Sequence, residues 1–250
     1  MRVIALTDHD TVGGVVEAQR AAVGAGLEVV PGVEINSEEA EGELHFLGYY
    51  VDVENVSLRE RLHDMRVARL ERGRRMVERL CEMGMVLDWD EVQRLAGGET
   101  VGRPHVARAL VERGYVETVR EAFERFIGRD GAAYFNRLKL APWEAIETIS
   151  QAGGVAVLAH AAHSGPAVVD RVPEFVSYGL RGLEVYYPEH SPEDVEMLLE
   201  LCDKHGLLAT GGTDFHGPTV GAPLGSVYVP LECVERLREA AAFRTQIYDV

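Results

Sequence analysis

Short β-branched runs alternate with helix-like stretches along most of this chain, and most of the strand candidates run into a histidine or a carboxylate. Residues 3–7 (VIALT), 28–35 (EVVPGVEI), 44–51 (LHFLGYYV), 155–160 (VAVLAH), 182–187 (GLEVYY), 207–212 and 226–230 read as strands. Residues 12–26, 142–151, 192–205 and 232–242 read as helices. Such alternation favours a parallel α/β fold. Seven strand candidates suit a barrel somewhat better than an open sheet, and periodicity alone leaves the two open. The polar SEEAEGE segment between the second and third strands reads as a turn or hairpin loop.

Residues 57–134 differ. They hold no convincing strand and three helical patterns, at 57–83, 89–95 and 104–125. The expected organisation is an α/β domain of residues 1–56 and 135–250 interrupted by an all-helical insert at 57–134. The first insert helix carries Arg59, Arg61, Arg66, Arg69, Arg72, Arg74, Arg75 and Arg79.

Composition narrows the function. With 25 basic and 41 acidic residues the formal charge is −16, which disfavours a broad basic face for duplex DNA. A small phosphate ligand held locally by arginine or metal remains compatible. No apolar run approaches the length of a membrane span, about 18–20 residues. Cys81, Cys202 and Cys233 are odd in number and widely spaced, so they read as thiols of a reducing cytoplasm.

The chemistry-bearing residues sit at strand ends. The first strand runs into Asp8, His9 and Asp10, the second ends near Glu34, and the third holds His45. The 155–160 run ends in His160, and the 207–212 run leads to Asp214 and His216. Carboxyl ends of parallel strands converge on one rim, so residues far apart in sequence can form one cluster. Imidazole and carboxylate ligands suit Mn²⁺, Fe²⁺ and Zn²⁺ without separating them. In an extended Asp214-Phe215-His216, spacing of two puts both ligands on one face. Each residue also has an ordinary reading: a lone strand histidine is usually half-buried and satisfied, and Asp8 or Asp10 would cap the helix that follows. Their joint placement favours a metal site. His63, His190 and His205 read as surface residues.

At these residues the chain resembles the polymerase-and-histidinol-phosphatase (PHP) family of metal-dependent phosphoesterases. The motifs are ALTDHDTVGG, VVPGVEIN, ELHFLGYYV, GGVAVLAHAAHSG and GGTDFHG. GRPHVARALVERGYV and EAFERFIG in the helical region look like the subgroup that hydrolyses 3′,5′-nucleoside bisphosphates and trims RNA from its 5′ end. The resemblance implies a distorted (β/α)7 TIM-like barrel with metal ligands at His9, Glu34, His45, His160, Asp214 and His216. Of these, His9, Asp214 and His216 would be catalytic. It further implies attack by metal-bound hydroxide, with no covalent enzyme intermediate. Mn²⁺ is the first expectation, then Fe²⁺ or Zn²⁺. Substrates would be nucleotides or short single-stranded RNA, held by Arg69, Arg72, Arg103 and His105. Guanidinium grips phosphate bidentately, and Gly-Arg-Pro-His lies at a helix start, where anions are favoured. The ordinary reading of the arginines is a solvated helix face paired with Glu60, Asp64, Glu71 and Glu78.

The family's opening His-x-His and Ser-Asp-Gly motifs are absent, so the barrel is expected to be incomplete at the N-terminus, through either a late start-codon assignment or a true truncation. Six candidate ligands suffice for about one or two metals with waters, and weak metal binding with low phosphatase activity is expected. Ala161 stands where the family usually has proline, which should alter the loop and not the ligand. Two alternatives are a non-catalytic nucleotide- or protein-binding module and a metal-dependent amidohydrolase.

Overall fold

The computed structural model describes residues 1–39, 42–97, 101–136, 140–217 and 221–248. Ala40 and Glu41 of the SEEAEGE turn lie outside the described residues. In chain order the elements are β1 (Val3–Leu6), α1 (Val15–Ala22), β2 (Glu28–Glu39), β3 (Gly42–Tyr49), α2 (Val56–Glu82), α3 (Trp89–Leu95), α4 (Arg103–Glu112) and α5 (Val119–Ala122). A π-helical turn at Phe123–Ile127 follows, then α6 (Pro142–Gln151), β4 (Val155–Leu158), α7 (Pro166–Val169), α8 (Val172–Ser177), β5 (Gly182–Tyr186), α9 (Pro192–His205), β6 (Leu208–Gly211) and α10 (Leu231–Tyr248). By packing they form two compact units, Met1–Leu62 with Lys139–Val250, and His63–Leu138.

The first unit is a mixed α/β structure around a six-stranded sheet in the order β1-β2-β3-β4-β5-β6. The expected parallel arrangement holds for five strands and is corrected at β3. β1–β2, β4–β5 and β5–β6 are parallel, but β3 is antiparallel to both β2 and β4. A tight connection between β2 and β3 forces the reversal, since a parallel return needs a crossover of a dozen residues or more. A second correction concerns residues 226–230, which form no strand. The segment lies between Gly225 at φ 78° and Pro230, whose ring nitrogen cannot donate to a ladder.

One sheet face is apolar over most of its length. Val30, Leu47, Tyr49, Val155, Val157 and Ala159 pack against Leu237 and Ala241 of α10. On the opposite face Phe46 meets Phe175 edge-on at 5.8 Å between centroids. The helical unit has its own core, including Leu80, Val106, Leu110, Ala122 and Ile127. The single helix expected at 104–125 is corrected to α4, α5 and the π-helical turn. Gly114, at φ 71°, ends α4, and the Thr118 hydroxyl accepts the Glu121 N–H at 3.1 Å to start α5. Among the described residues no helix is long and apolar enough to cross a membrane.

Gly32 lets β2 fit between its neighbours. A Cβ there would lie 2.9 Å from the Leu6 carbonyl oxygen and 3.1 Å from that of Gly48. Backbone on both sides cannot yield as a flexible side chain does. Gly32→Ala is therefore expected to cost about 1–3 kcal/mol, as overpacking does. Thermal unfolding checks this, and an unchanged midpoint would show that the strands part freely.

Candidate metal centre

Five strands share one direction, so their carboxyl ends meet at one rim; the reversed β3 brings its beginning there instead. Asn36 near the end of β2 pairs with His45 near the start of β3. Along β2 the period of two places Val30, Glu34 and Asn36 on one face. That face is therefore apolar at the bottom and polar at the rim. Beyond β1 the chain stays tied to β2, for Glu34 donates its N–H to the Asp8 carbonyl at 3.1 Å and Asp10 donates to the Glu34 carbonyl at 2.8 Å. This pairs His9 with Glu34. On the other flank the Ala159 N–H donates to the His45 carbonyl at 3.0 Å, which delivers His160 beside His45.

The side chains meet accordingly. Glu34 Oε1 is 2.7 Å from His45 Nδ1, and Oε2 is 3.4 Å from His9 Nδ1. His160 Nε2 lies 3.1 Å from His45 Nδ1 and 4.0 Å from Glu34 Oε1. The His9 and His216 rings are 5.6 Å apart, and His216 Nδ1 is 3.4 Å from Asp214 Oδ1. All six candidate ligands thus belong to one chain of contacts. One donor atom from each of His9, Glu34 and His45 falls within 4.8 Å of the others. Asp214 and His216 adjoin through a turn rather than the extended chain expected, since Asp214 has φ 47° and its carbonyl is 2.8 Å from His216 Nδ1.

The electrostatics favour a cation. Burial alone would raise the Glu34 pKa, but the neighbouring His9, His45 and His160 outweigh it and lower it to about 2. His160 is pushed down to about 4, first by burial and then by His45, against the opposing pull of Glu34 and Asp214. At neutral pH Glu34 is a carboxylate and His160 a neutral imidazole, the protonation states that ligate metal. His160 Nδ1 is buried with no hydrogen-bond partner among the described residues, so the ring is oriented from its Nε2 side, toward the cluster. A buried carboxylate with an imidazole at each oxygen fits a divalent cation by donor chemistry.

Asn36, Tyr187 and Glu184 escaped the sequence reading, whereas Asp10 stood among the strand-end acids with a helix cap as its ordinary role. Asp10 is fully buried and caps no helix: α1 begins at Gly14 without a side-chain cap, and Asp10 Oδ1 accepts the Asn36 backbone N–H at 3.3 Å. The Asn36 side-chain nitrogen lies 3.3 Å from His9 Nδ1. The Tyr187 hydroxyl donates to Asp214 Oδ2 at 3.4 Å, and burial raises its pKa, as does Asp214. Glu184, 5% exposed, is pushed up to about 8, chiefly by burial. A carboxylate inside the apolar GLEVYY run was the available signal for it.

The expected phosphate-binding residues all lie in the helical unit. Arg69 Nη1 lies 3.5 Å from where a Cβ of Gly102 would stand, at the start of α4. The Gly102 N–H donates to His105 Nδ1 at 3.0 Å, so the His105 ring also caps that helix. The Arg103 guanidinium lies over the Phe123 ring at 5.4 Å. Arg72 is buried, unlike a residue of a solvated face.

No family model matches the chain. A 3′,5′-nucleoside bisphosphate phosphatase of Chromobacterium violaceum is 33% identical over 222 residues, 87% of this chain and 78% of that protein. The 5′-3′ exoribonuclease Rnm of Salmonella typhimurium is 33% identical over 227 residues, 89% of this chain and 78% of its own length. A solved structure from Bifidobacterium adolescentis, described as a metal-dependent phosphoesterase, superposes with a TM-score of 0.84 at 33% identity, covering 96% of this chain and 86% of that one. Its length-spanning identity to these proteins places the chain in the PHP-type family of metal-dependent phosphoesterases, in the subgroup of 3′,5′-nucleoside bisphosphate phosphatases and 5′-3′ exoribonucleases.

Proposed function

We propose that this phosphoesterase hydrolyses phosphate esters of nucleotides, either 3′,5′-nucleoside bisphosphates or the 5′ ends of short single-stranded RNA. One observation carries the reading: His9, Glu34, His45, His160, Asp214 and His216 converge in linked contacts at one rim. The similarity to a bisphosphate phosphatase and an exoribonuclease supports the substrate class. When bound, a divalent cation, Mn²⁺ first and then Fe²⁺ or Zn²⁺, supplies Lewis-acid stabilisation of phosphoryl charge and activates the attacking water. Glu34 with His9, His45 and His160 would hold it, Asp214 and His216 would complete the set, and the Tyr187 hydroxyl would orient Asp214. His9, Asp214 and His216 are the proposed catalytic residues.

Arg69, Arg72, Arg103 and His105 belong to the same proposal as phosphate contacts, within an insert spanning 57–134. The placement of Arg69, Arg103 and His105 at the first turn of α4 supports this, because helix N-termini attract anions. The distorted (β/α)7 barrel, incomplete at the N-terminus, is also part of it, and the proximity of Val229 Cγ2 to Gly211 at the end of β6 is compatible with it. The charge of −16 argues against duplex DNA, and the free Cys81, Cys202 and Cys233 suit a reducing cytoplasm.

Phosphate release from a 3′,5′-nucleoside bisphosphate is expected to require Mn²⁺ and to stop with EDTA. Glu34→Gln should reduce it at least about 100-fold, because a ligand change exceeds the tenfold to hundredfold effect typical of residues that only support ligands. Equal release with EDTA, or faster turnover of amides than of phosphate esters in a parallel screen, would overturn the reading.

The metal-free protein should lose stability as pH falls from 6.5 to 4. The unfolded His160 takes up a proton below about 6.5, whereas the folded one resists until about 4. Over that window the unfolded chain binds more protons, so stability declines by roughly 3 kcal/mol. Glu34 adds a decline in the same direction from about 4.5 toward 2. Thermal melts across pH should show a shallower slope for His160→Asn between 6.5 and 4, and an identical slope would refute the assignment.

A further inference from the structure

Glu184 is not among the proposed ligands, yet it is a carboxylate buried in the middle of β5. We propose that Glu184 is a positioning residue that holds the ligand-bearing turns at His160 and Asp214 around Glu34; the inference rests on the metal-centre reading and adds a residue to it.

Three features carry it. Glu184 Oε2 accepts the His160 backbone N–H at 2.8 Å. His160 has φ 32°, a conformation disfavoured for an L residue with a bulky side chain. Such a turn persists only where surrounding structure fixes it, and a buried acceptor on its N–H does so.

The other carboxylate oxygen faces the second turn. Oε1 lies 3.4 Å from the point a Cβ on Gly212 would occupy, two residues before Asp214 at φ 47°. A single side chain therefore bonds the backbone of one segment and lies beside the other. Gly212 leaves the room for that approach.

The third feature is a slip in the ladder. Glu184 pairs with Thr210 while Tyr186 pairs with Gly211, so β5 carries one extra residue there. In a regular strand residues 184 and 187 would face opposite sides. Here Glu184 reaches the His160 backbone and Tyr187 reaches the Asp214 carboxylate at 3.4 Å. A bulge that re-aims side chains at a site produces that convergence.

The test compares Glu184→Gln, Glu184→Asp and Glu184→Ala in the full chain. Gln keeps an acceptor oxygen at the same reach without the charge. Asp keeps the carboxyl group but draws it back by one methylene. Mn²⁺ is titrated calorimetrically into metal-stripped protein, and hydrogen exchange of the His160 amide is followed without metal. Gln is expected to bind Mn²⁺ within about threefold of wild type, whereas Asp and Ala weaken it at least about tenfold, the usual range for residues that support ligands. The His160 amide should exchange slowly in wild type and Gln and faster in Asp and Ala. If Ala fails to fold, the Gln and Asp pair decides alone. Equal Mn²⁺ binding in every variant overturns the positioning role and leaves the metal centre intact. Loss in Gln as large as in Asp overturns it in favour of charge. A wild-type chain that binds no Mn²⁺ overturns the metal centre and this inference with it.

Discussion

A carboxylate is buried at the rim end of the sheet, and the surrounding geometry follows from the need to compensate it. Glu34 is 5% exposed, and a lone buried carboxylate carries a penalty of several kcal/mol. Its two oxygens face different imidazoles, His45 at 2.7 Å and His9 at 3.4 Å. Both contacts depend on strand register. His9 reaches Glu34 because the chain beyond β1 remains bonded to β2, and His45 does so because β3 returns antiparallel with Asn36 opposite His45. A slip of one residue between β2 and β3 would turn His45 to the other face and leave the carboxylate facing Phe46 or Leu44. The hairpin register and the compensation of Glu34 are thus one constraint.

The same rim stores backbone strain. Among the described residues the non-glycine positions at positive φ are Asp10, Tyr50, His160 and Asp214. Three of these adjoin or are candidate ligands. Each such position costs about 1–3 kcal/mol unless neighbours enforce it. The enforcing contacts are visible: Asn36 donates to the Asp10 carboxylate, and Glu184 accepts from His160. These contacts do little for the fold elsewhere. Their presence at the rim indicates that stability is spent on holding donor atoms close, where a relaxed backbone would let them diverge.

Much of this was legible in the sequence. α6 and α9 match the expected residues 142–151 and 192–205, since proline at the start and glycine or an apolar run at the end punctuate them clearly. The six ligand candidates were readable because imidazole and carboxylate at strand ends are chemically conspicuous. Strand direction was legible only at the turn or hairpin loop read between the second and third strands, because the period of two does not itself record direction. The extended reading of Asp214-Phe215-His216 failed because side-chain spacing does not reveal a positive φ. Glu184 acts through the His160 backbone N–H and Asn36 through the side chains of His9 and Asp10, groups of distant segments that only the assembled fold brings near. The break at Gly114 was missed because apolar periodicity resumes beyond it in nearly the same phase.

Net acidity and a phosphate substrate are compatible on physical grounds. At about 0.1 M salt, charges more than roughly 10 Å apart are largely screened, so a formal charge of −16 governs solubility and encounter more than contact energy. What matters is how the arginines are held. On the first insert helix Arg59 pairs with Glu54 and Arg79 with Glu82. Arg74, Arg75 and Arg103 lie over the rings of Trp89, Phe135 and Phe123. A carboxylate partner neutralises a guanidinium, whereas an aromatic face orients it and leaves its charge intact. The ring contacts thus hold Arg74 and Arg75 in fixed attitudes within an acidic chain.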